Sequence, residues 1–397
     1  MIRAFASRGG ALLLGMMLAV PGVGHAADNV TVSADASANA GYSNNPYSEA
    51  GSGTGSGYVQ ARISPAVKLT NETSIFTLLG IFSDKQFFQH YSNVYDVAGQ
   101  LLYAGTPSAH LNTHADVKYD NSIVGQNNYS GNVIDSSTTS APVTSGTDIG
   151  LFGTRTRRQT GQVDGGFVYQ LSQHDTITMS GYYLLSRYGQ SVAANNYDAF
   201  GGNIGYSRRI AEHAQIGLQT GYAHYTYQSV RGHTNVLSPQ GTFSAQLGPA
   251  WKVDGALGVS FINNSISGTS TALTGNFDLC RISTRSDLCV TAQRASVPTG
   301  SGQIQNELLL GARYSYKVTE FSTIIANANY TDNAGIQSNI TGQNRYLRGA
   351  VGYDRKISQR VHVTIDARYA QIFGSAAHRD ADFGGQLGIV AKLGRSE

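Results

Sequence analysis

The sequence predicts an all-β fold: a transmembrane antiparallel β-barrel of about 16 strands, with short periplasmic turns and long extracellular loops. Three observations lead there. Apolar and polar residues alternate with a period of two along most of the chain. Tight polar turns and long loops rich in Gly, Ser, Thr and Asn take turns between the alternating segments. Charged residues make up only 13% of the 397 residues, about half of the usual quarter in a soluble domain. Other classes fall away on the same grounds. Aromatic residues at 10% with low charge exclude a disordered chain. One apolar run, at the N-terminus, excludes a helical membrane protein. Many Gly and Tyr residues, with few Lys and Glu, argue against a helical soluble enzyme.

The chain opens with an export signal. Arg3 and Arg8 precede an apolar run at 11–20, Pro21-Gly22 breaks it, and Gly24-His25-Ala26 supplies small residues for a peptidase. This is the layout of a signal peptide over residues 1–26, too short to span a bilayer. Cleavage is expected after Ala26, with Ala27 as the second choice, leaving residues 27–397 as one barrel domain. Without Arg3 and Arg8 the 28 basic residues become 26, against 25 acidic ones. The mature chain is then nearly neutral, and nothing in its charge points to nucleic acid.

The strands follow in order. Val30, Val32, Ala34, Ala36, Ala38, Ala40 and Tyr42 alternate with Thr31, Ser33, Asp35, Ser37, Asn39 and Gly41. In a strand the two sets face opposite sides of the sheet. The same pattern predicts strands at 29–43, 57–70, 73–90, 108–120, 161–172, 175–189, 196–210, 213–228, 239–252, 254–268, 303–317, 319–333, 344–356, 360–374 and 381–393. Short turns fall at 172–175, 211–213, 253–255, 317–320 and 358–360; long loops fall at 43–56, 92–108, 136–155, 229–240, 268–302 and 374–379. With short turns on the periplasmic side, 108–120 and 161–172 must both run downward. That requires an upward strand between them, and the weakly patterned 122–136 is the candidate. It brings the count to 16, an even number that places both ends in the periplasm.

Energy decides which face meets lipid. A charge on the lipid face at the bilayer midplane costs roughly 2–4 kcal/mol, and the apolar faces carry essentially none. The charged faces therefore line the interior: Asp35, Arg62, His110, His114, Asp116, Lys118, Asp164, Glu307, Arg313, Arg348, Asp366 and Arg368 are the candidate lumen residues. Trp251, Tyr183, Tyr314, Tyr316, Tyr353 and Tyr369 sit near strand ends, as interfacial girdles require.

On these residues the chain resembles a β-barrel porin family of proteobacterial outer-membrane proteins. The resemblance lies in Ala40-Gly41-Tyr42-Ser43-Asn44-Asn45-Pro46-Tyr47 with its following Gly/Ser loop, in the Ser64-Pro65 strand, and in the regular hairpins beyond. It implies a place in the outer membrane of a Gram-negative bacterium, and either diffusion or polysaccharide export. Barrels of this kind usually end in an aromatic residue, whereas here Leu393 is followed by Gly394-Arg395-Ser396-Glu397.

Few constellations suggest chemistry. Cys280 and Cys289 lie in the long polar segment 268–302, and an exported chain meets an oxidising compartment, so a disulfide across a surface loop is expected. His110, His114 and Asp116 share one strand face, but His110 and His114 lie about 13 Å apart on a strand and cannot chelate one ion. No metal site and no cofactor is expected. The lumen candidates carry both signs in about equal number, so no single-sign selectivity ring is formed. Arg155, Arg157 and Arg158 form the one basic cluster, at a loop base, suited either to lipopolysaccharide phosphates or to the pore mouth. His224 and His233 lie near one rim. Nucleophile elbows, zinc-protease motifs and phosphate loops are missing from the sequence, so the chain is not read as an enzyme.

The expected function is a passive pore for small hydrophilic solutes, with 84–107, 136–160 and 268–302 as candidate constriction loops. Two alternatives stand beside it: an exopolysaccharide export conduit working with a periplasmic partner, for which inward Tyr182 and Tyr225 would offer ring faces, and a structural or surface-displaying barrel. The partners expected are outer-membrane lipid and lipopolysaccharide, with a homo-oligomer and a periplasmic polysaccharide-export protein left open.

Overall fold

The computed structural model describes residues 29–125, 148–189, 194–228, 232–266, 268–335, 344–374 and 378–394. The signal segment 1–26 and its cleavage positions lie outside them, as does most of the 122–136 segment.

Eighteen strands are present among the described residues, not 16: β1 (Asn29–Ser43), β2 (Ser56–Thr70), β3 (Ser74–Phe87), β4 (Val94–Ser108), β5 (Leu111–Ile123), β6 (Arg157–Gln170), β7 (Asp175–Tyr188), β8 (Tyr197–Ala211), β9 (Ala214–Tyr227), β10 (His233–Leu247), β11 (Trp251–Asn264), β12 (Gly268–Ile282), β13 (Ser286–Pro298), β14 (Ile304–Thr319), β15 (Ser322–Gly335), β16 (Asn344–Lys356), β17 (Val361–Phe373) and β18 (Asp382–Gly394). Each pairs with its sequence neighbours, and β1 pairs with both β2 and β18, so the sheet closes. Closure leaves no edge strand with unpaired backbone groups, which is what lets a sheet cross a bilayer.

Three strands sit where loops were expected. β4 occupies the predicted loop 92–108, and β12 with β13 fills 268–302. β4 hides its period because its inner face is itself partly apolar: Tyr95, Val97, Leu101 and Tyr103 point outward, while Val94, Ala98 and Leu102 point inward beside Asp96 and Gln100. The outer face of β12 carries Thr269, Thr271 and Gly275 beside Leu273, Phe277 and Leu279, a composition that reads as loop. Restoring β4 reverses the direction assigned to the strand at 108–120. β5 then pairs directly with β6, from Leu111↔Tyr169 to Ile123↔Arg157, and needs no intervening strand at 122–136. The β10–β11 turn also moves, from 253–255 to Gly248-Pro249-Ala250, where Gly248 takes the φ of +70° that a side chain would strain.

Register sorts every strand into two faces. Outward residues include Val32, Phe82, Leu101, Val163, Leu218, Leu257 and Ile365, all well exposed on the barrel surface. A belt of this kind is stable only against lipid. Trp251, Tyr183, Tyr314, Tyr316, Tyr353 and Tyr369 all lie on this outer face. One irregularity breaks the wall. The β12–β13 ladder ends at Gly275↔Arg294, but β13–β14 pairing runs on to Pro298↔Ile304. The top of β13 therefore leaves β12 and turns into the barrel, where Val297 is buried.

Candidate functional site

The site is the lumen, and its two halves differ. From β14 round through β1 to β6 the inner face is charged. Asp35, Arg62, His114, Asp116, Lys118, Asp164, Glu307, Arg313, Arg348, Asp366 and Arg368 all lie on it by register. His110 instead sits in the exposed β4–β5 turn, off the strand that carries His114.

Opposite charges brace this half. Asp116 and Asp164 oppose each other across the β5–β6 ladder. Lys118 Nζ lies 2.6 Å from Asp116, Gln100 donates to both Asp116 oxygens at 3.1 and 2.9 Å, and Gln162 donates to Asp164 at 3.0 Å. Higher up, Arg368 pairs with the fully buried Asp382 at 3.4 Å, and Ser43 Oγ and the Asn45 N–H donate to the same carboxylate at 2.6 and 3.1 Å. Gln386 donates to Asp366, and Arg62 to Ser64 Oγ. Lys85 stands over the Tyr58 ring at 4.9 Å. Charges locked this way hold the wall and each other.

From β7 to β13 the inner face is different. Thr178, Tyr182, Asn203, Gln219, Ser238, Gln240, Thr242, Ser260, Thr274, Asn276 and Gln293 point inward. Among the described residues, Arg209, Lys252, Asp254, Asp278 and Asp287 are the charged ones on this face, and all lie toward its periplasmic end. A cavity of about 580 Å³ lies against this half. Cys280 and Cys289 are bonded to each other here, directly across the β12–β13 ladder. The bridge staples wall strands beside the periplasmic turn rather than closing an extracellular loop.

Loops fold in from the extracellular end. The segment before β6 enters as a single 3-10 turn at Ile149–Leu151. Its leading residue, Asp148, is buried: Oδ2 accepts from Arg158 Nη1 at 3.0 Å and Tyr188 Oη at 2.6 Å, and Oδ1 accepts from the Gly300 N–H at 2.7 Å. Ile149, Leu151 and Phe152 pack with Tyr346, Ala370 and Ile372 of β16 and β17, the Phe152 ring meeting Tyr346 edge-on at 5.1 Å. The β13–β14 loop reaches in from the other side, where the Gly300 carbonyl accepts from the Asn195 N–H and the Gln303 carbonyl from Tyr227 Oη. A third group joins the loop after β1 to the loop after β17. Arg379 Nη1 donates to the Ser48 and Phe152 carbonyls at 2.6 and 2.7 Å, and burial lowers its pKa.

The basic cluster 155–158 splits three ways. Arg155 pairs with Glu49 at 2.5 Å and lies over the Tyr91 and Tyr47 rings, Arg157 faces outward against Tyr95, and Arg158 turns inward to Asp148. Burial pushes the Tyr47 and Tyr91 phenols upward, Tyr91 to about 12. His224 and His233 stack at 5.6 Å on the outer face of the rim, not in the lumen. Of the expected constriction loops, most of 84–107 and most of 268–302 are wall, while the short 88–93 loop between β3 and β4 packs Tyr91 into the mouth. The described part of 136–160 does enter the mouth. Asp148 escaped the sequence reading; the only trace of its loop is the apolar Ile149-Gly150-Leu151-Phe152 inside a polar stretch.

No family model matches the sequence, and no curated protein sequence matches it. Solved structures do resemble it. The OccK2 (OpdF) structure from Pseudomonas aeruginosa in complex with glucuronate is 13% identical, covering 93% of this chain and 99% of that one, with a TM-score of 0.47. OpdK from the same organism is also 13% identical, covering 92% and 99%, with a TM-score of 0.43. The FrpB iron transporter of Neisseria meningitidis, F5-1 variant, is 9% identical, covering 91% and 82%, with a TM-score of 0.45. By its closed wall, apolar outer belt and polar interior, the chain is a bacterial outer-membrane β-barrel.

Proposed function

We propose that this barrel is a passive channel for small hydrophilic solutes, narrowed at its extracellular mouth by inward loops. The observation that carries the proposal is the polar lumen of a closed 18-stranded wall. A wall of that size encloses a water-filled channel unless something fills it, and the loops at Asp148, Gly300 and Arg379 narrow the upper end. The test is single-channel conductance of the purified barrel in a planar bilayer, with polymer exclusion to size it. Steady ohmic steps are expected. A folded barrel that stays silent would overturn the channel and favour an export conduit or a structural role.

A further inference from the structure

We infer that the β7–β13 half of the lumen is a binding track for neutral, hydroxyl-rich solutes of the saccharide or polyol class. This rests on the channel reading above and names its solute. The inference starts from a hydrogen-bonded rail across the wall. Gln219 Nε2 donates to Gln240 Oε1 at 2.7 Å, Gln240 Nε2 reaches Thr274 Oγ1 at 3.4 Å, and Thr274 Oγ1 donates to the Arg294 carbonyl at 3.0 Å. Gln240 and Thr274 stand on strands separated by β11, and Gly258 lets them meet: a Cβ there would lie 2.8 Å from Gln240 Cγ. Beside the rail, Ser238 and Ser260 share a hydrogen bond at 2.7 Å. Tyr182, half-buried, lies over Gly201 and lines the same cavity.

The chemistry of this face selects its ligand. Amides and hydroxyls both donate and accept, as sugar hydroxyls do. Each can exchange a bond to water for a bond to a sugar without stripping water from a charge, which is what makes the exchange cheap. Each rail amide uses one N–H within the rail and has a second for a ligand. Among the described residues no cationic side chain points inward by register along the middle of this face; Arg294, which lines the cavity beside the rail, sits on the outward register opposite Leu308. Asp254 and Asp278 sit at its periplasmic rim, Asp254 paired with Lys252 at 2.9 Å, and Arg294 marks the edge where the β12–β13 ladder ends. The cavity of about 580 Å³ falls in the range of small-molecule sites, roughly 300–1,000 Å³.

Two measurements test this on the full barrel in parallel: interruption of the channel current by added saccharide, and calorimetric binding in detergent. The probes are maltotriose, which is neutral, and trigalacturonate, which is anionic. Maltotriose is expected to bind at least tenfold more tightly and to interrupt the current. Gln240→Glu, which places a charge in the rail, is expected to weaken maltotriose at least tenfold. Gln219→Glu serves as the second variant should the first fail to fold. Equal affinities, a preference for the anion, or unchanged maltotriose binding in a folded rail variant overturns the track. Current without saccharide preference sinks the track and leaves the channel standing. Saccharide binding without current sinks the channel and leaves the ligand class standing.

Discussion

Asp148 and Gly300 face each other across the barrel mouth. The loop before β6 supplies the carboxylate, the loop between β13 and β14 supplies the backbone N–H, and they meet at 2.7 Å. These loops spring from nearly opposite sides of an 18-strand ring, so this bond spans the opening. The same carboxylate holds Arg158 and Tyr188. Asp148→Ala removes all three bonds, and a hydrogen bond to a charged group is worth about 1.5–3 kcal/mol, so the loop contacts are expected to loosen locally. The closed wall is expected to survive, because its ladders do not involve Asp148. Single-channel conductance is therefore expected to rise about twofold or more, with noisier open levels, while heat-modifiable mobility on gels stays that of a folded barrel. An unchanged conductance would show that the two loops do not set the narrowest point.

The mixed charges of the β14–β6 half predict weak ion selectivity. The reversal potential in a salt gradient is expected close to zero for the unmodified chain. Lys118→Gln tests the balance at one level. It removes the cation 2.6 Å from Asp116 while leaving Asp116 and Asp164 opposed across the ladder. Two uncompensated carboxylates at one height begin an acidic ring, and the permeability ratio should move toward cations by about twofold to fivefold, the scale of about 0.5–1 kcal/mol for a partly exposed pair. A shift toward anions would contradict the placement of this pair in the conduction path.

The barrel was legible in the sequence wherever one face of a strand was apolar and the other polar. β1, with Val30 to Tyr42 outward and Asp35 inward, needs nothing beyond its own period. β4 and β12 were not legible, for different reasons. The inner face of β4 is itself partly apolar, since Val94 packs with Tyr58, Phe87 and Tyr91 beneath the folded-in loops. Part of the outer face of β12 is Thr and Gly, which a strand beside the β12–β13 divergence tolerates. Lumen residues such as Asp116 follow from alternation alone. The loops that shape the mouth do not, because Asp148, Gly300 and Arg379 act through contacts 152 and 331 positions apart in sequence. The Gln219–Gln240–Thr274 rail is likewise invisible until Gly258 is seen to sit between its members.

The loop cluster at Tyr91 predicts an alkaline transition confined to the mouth. Tyr91 Oη donates to the Thr54 carbonyl at 2.6 Å, and Arg155 covers its ring at 4.7 Å. Burial, then the nearby Glu49 carboxylate, raises its pKa from 10 to about 12. A phenol raised on folding favours the folded loop while protonated. That contribution is complete below pH 10 and is lost as pH climbs from about 10 to about 12. The phenolate absorbance that Tyr91→Phe removes should therefore develop near pH 12 rather than pH 10, with conductance changing over the same interval. Titration of Tyr91 at the ordinary phenol value would remove it from the cluster.

The cross-strand bridge should matter for stability and not for permeation. Cys280 and Cys289 are nine positions apart and joined through a three-residue turn. Closing so short a loop restricts the unfolded chain by about 2–3 kcal/mol in the entropic account. The hairpin is already held by eight ladder pairs from Gly275↔Arg294 to Ile282↔Asp287, so the wall does not need the bridge to keep its register. The paired change Cys280→Ser with Cys289→Ser is expected to lower the denaturant midpoint of the barrel slightly and to leave conductance and saccharide interruption as they were. The β12–β13 divergence sharpens the expectation. Among the described residues this hairpin has the shortest ladder of the wall, so hydrogen exchange in the double variant should rise first at 287–294. Uniform exchange across the wall would mean that the bridge does not protect the seam.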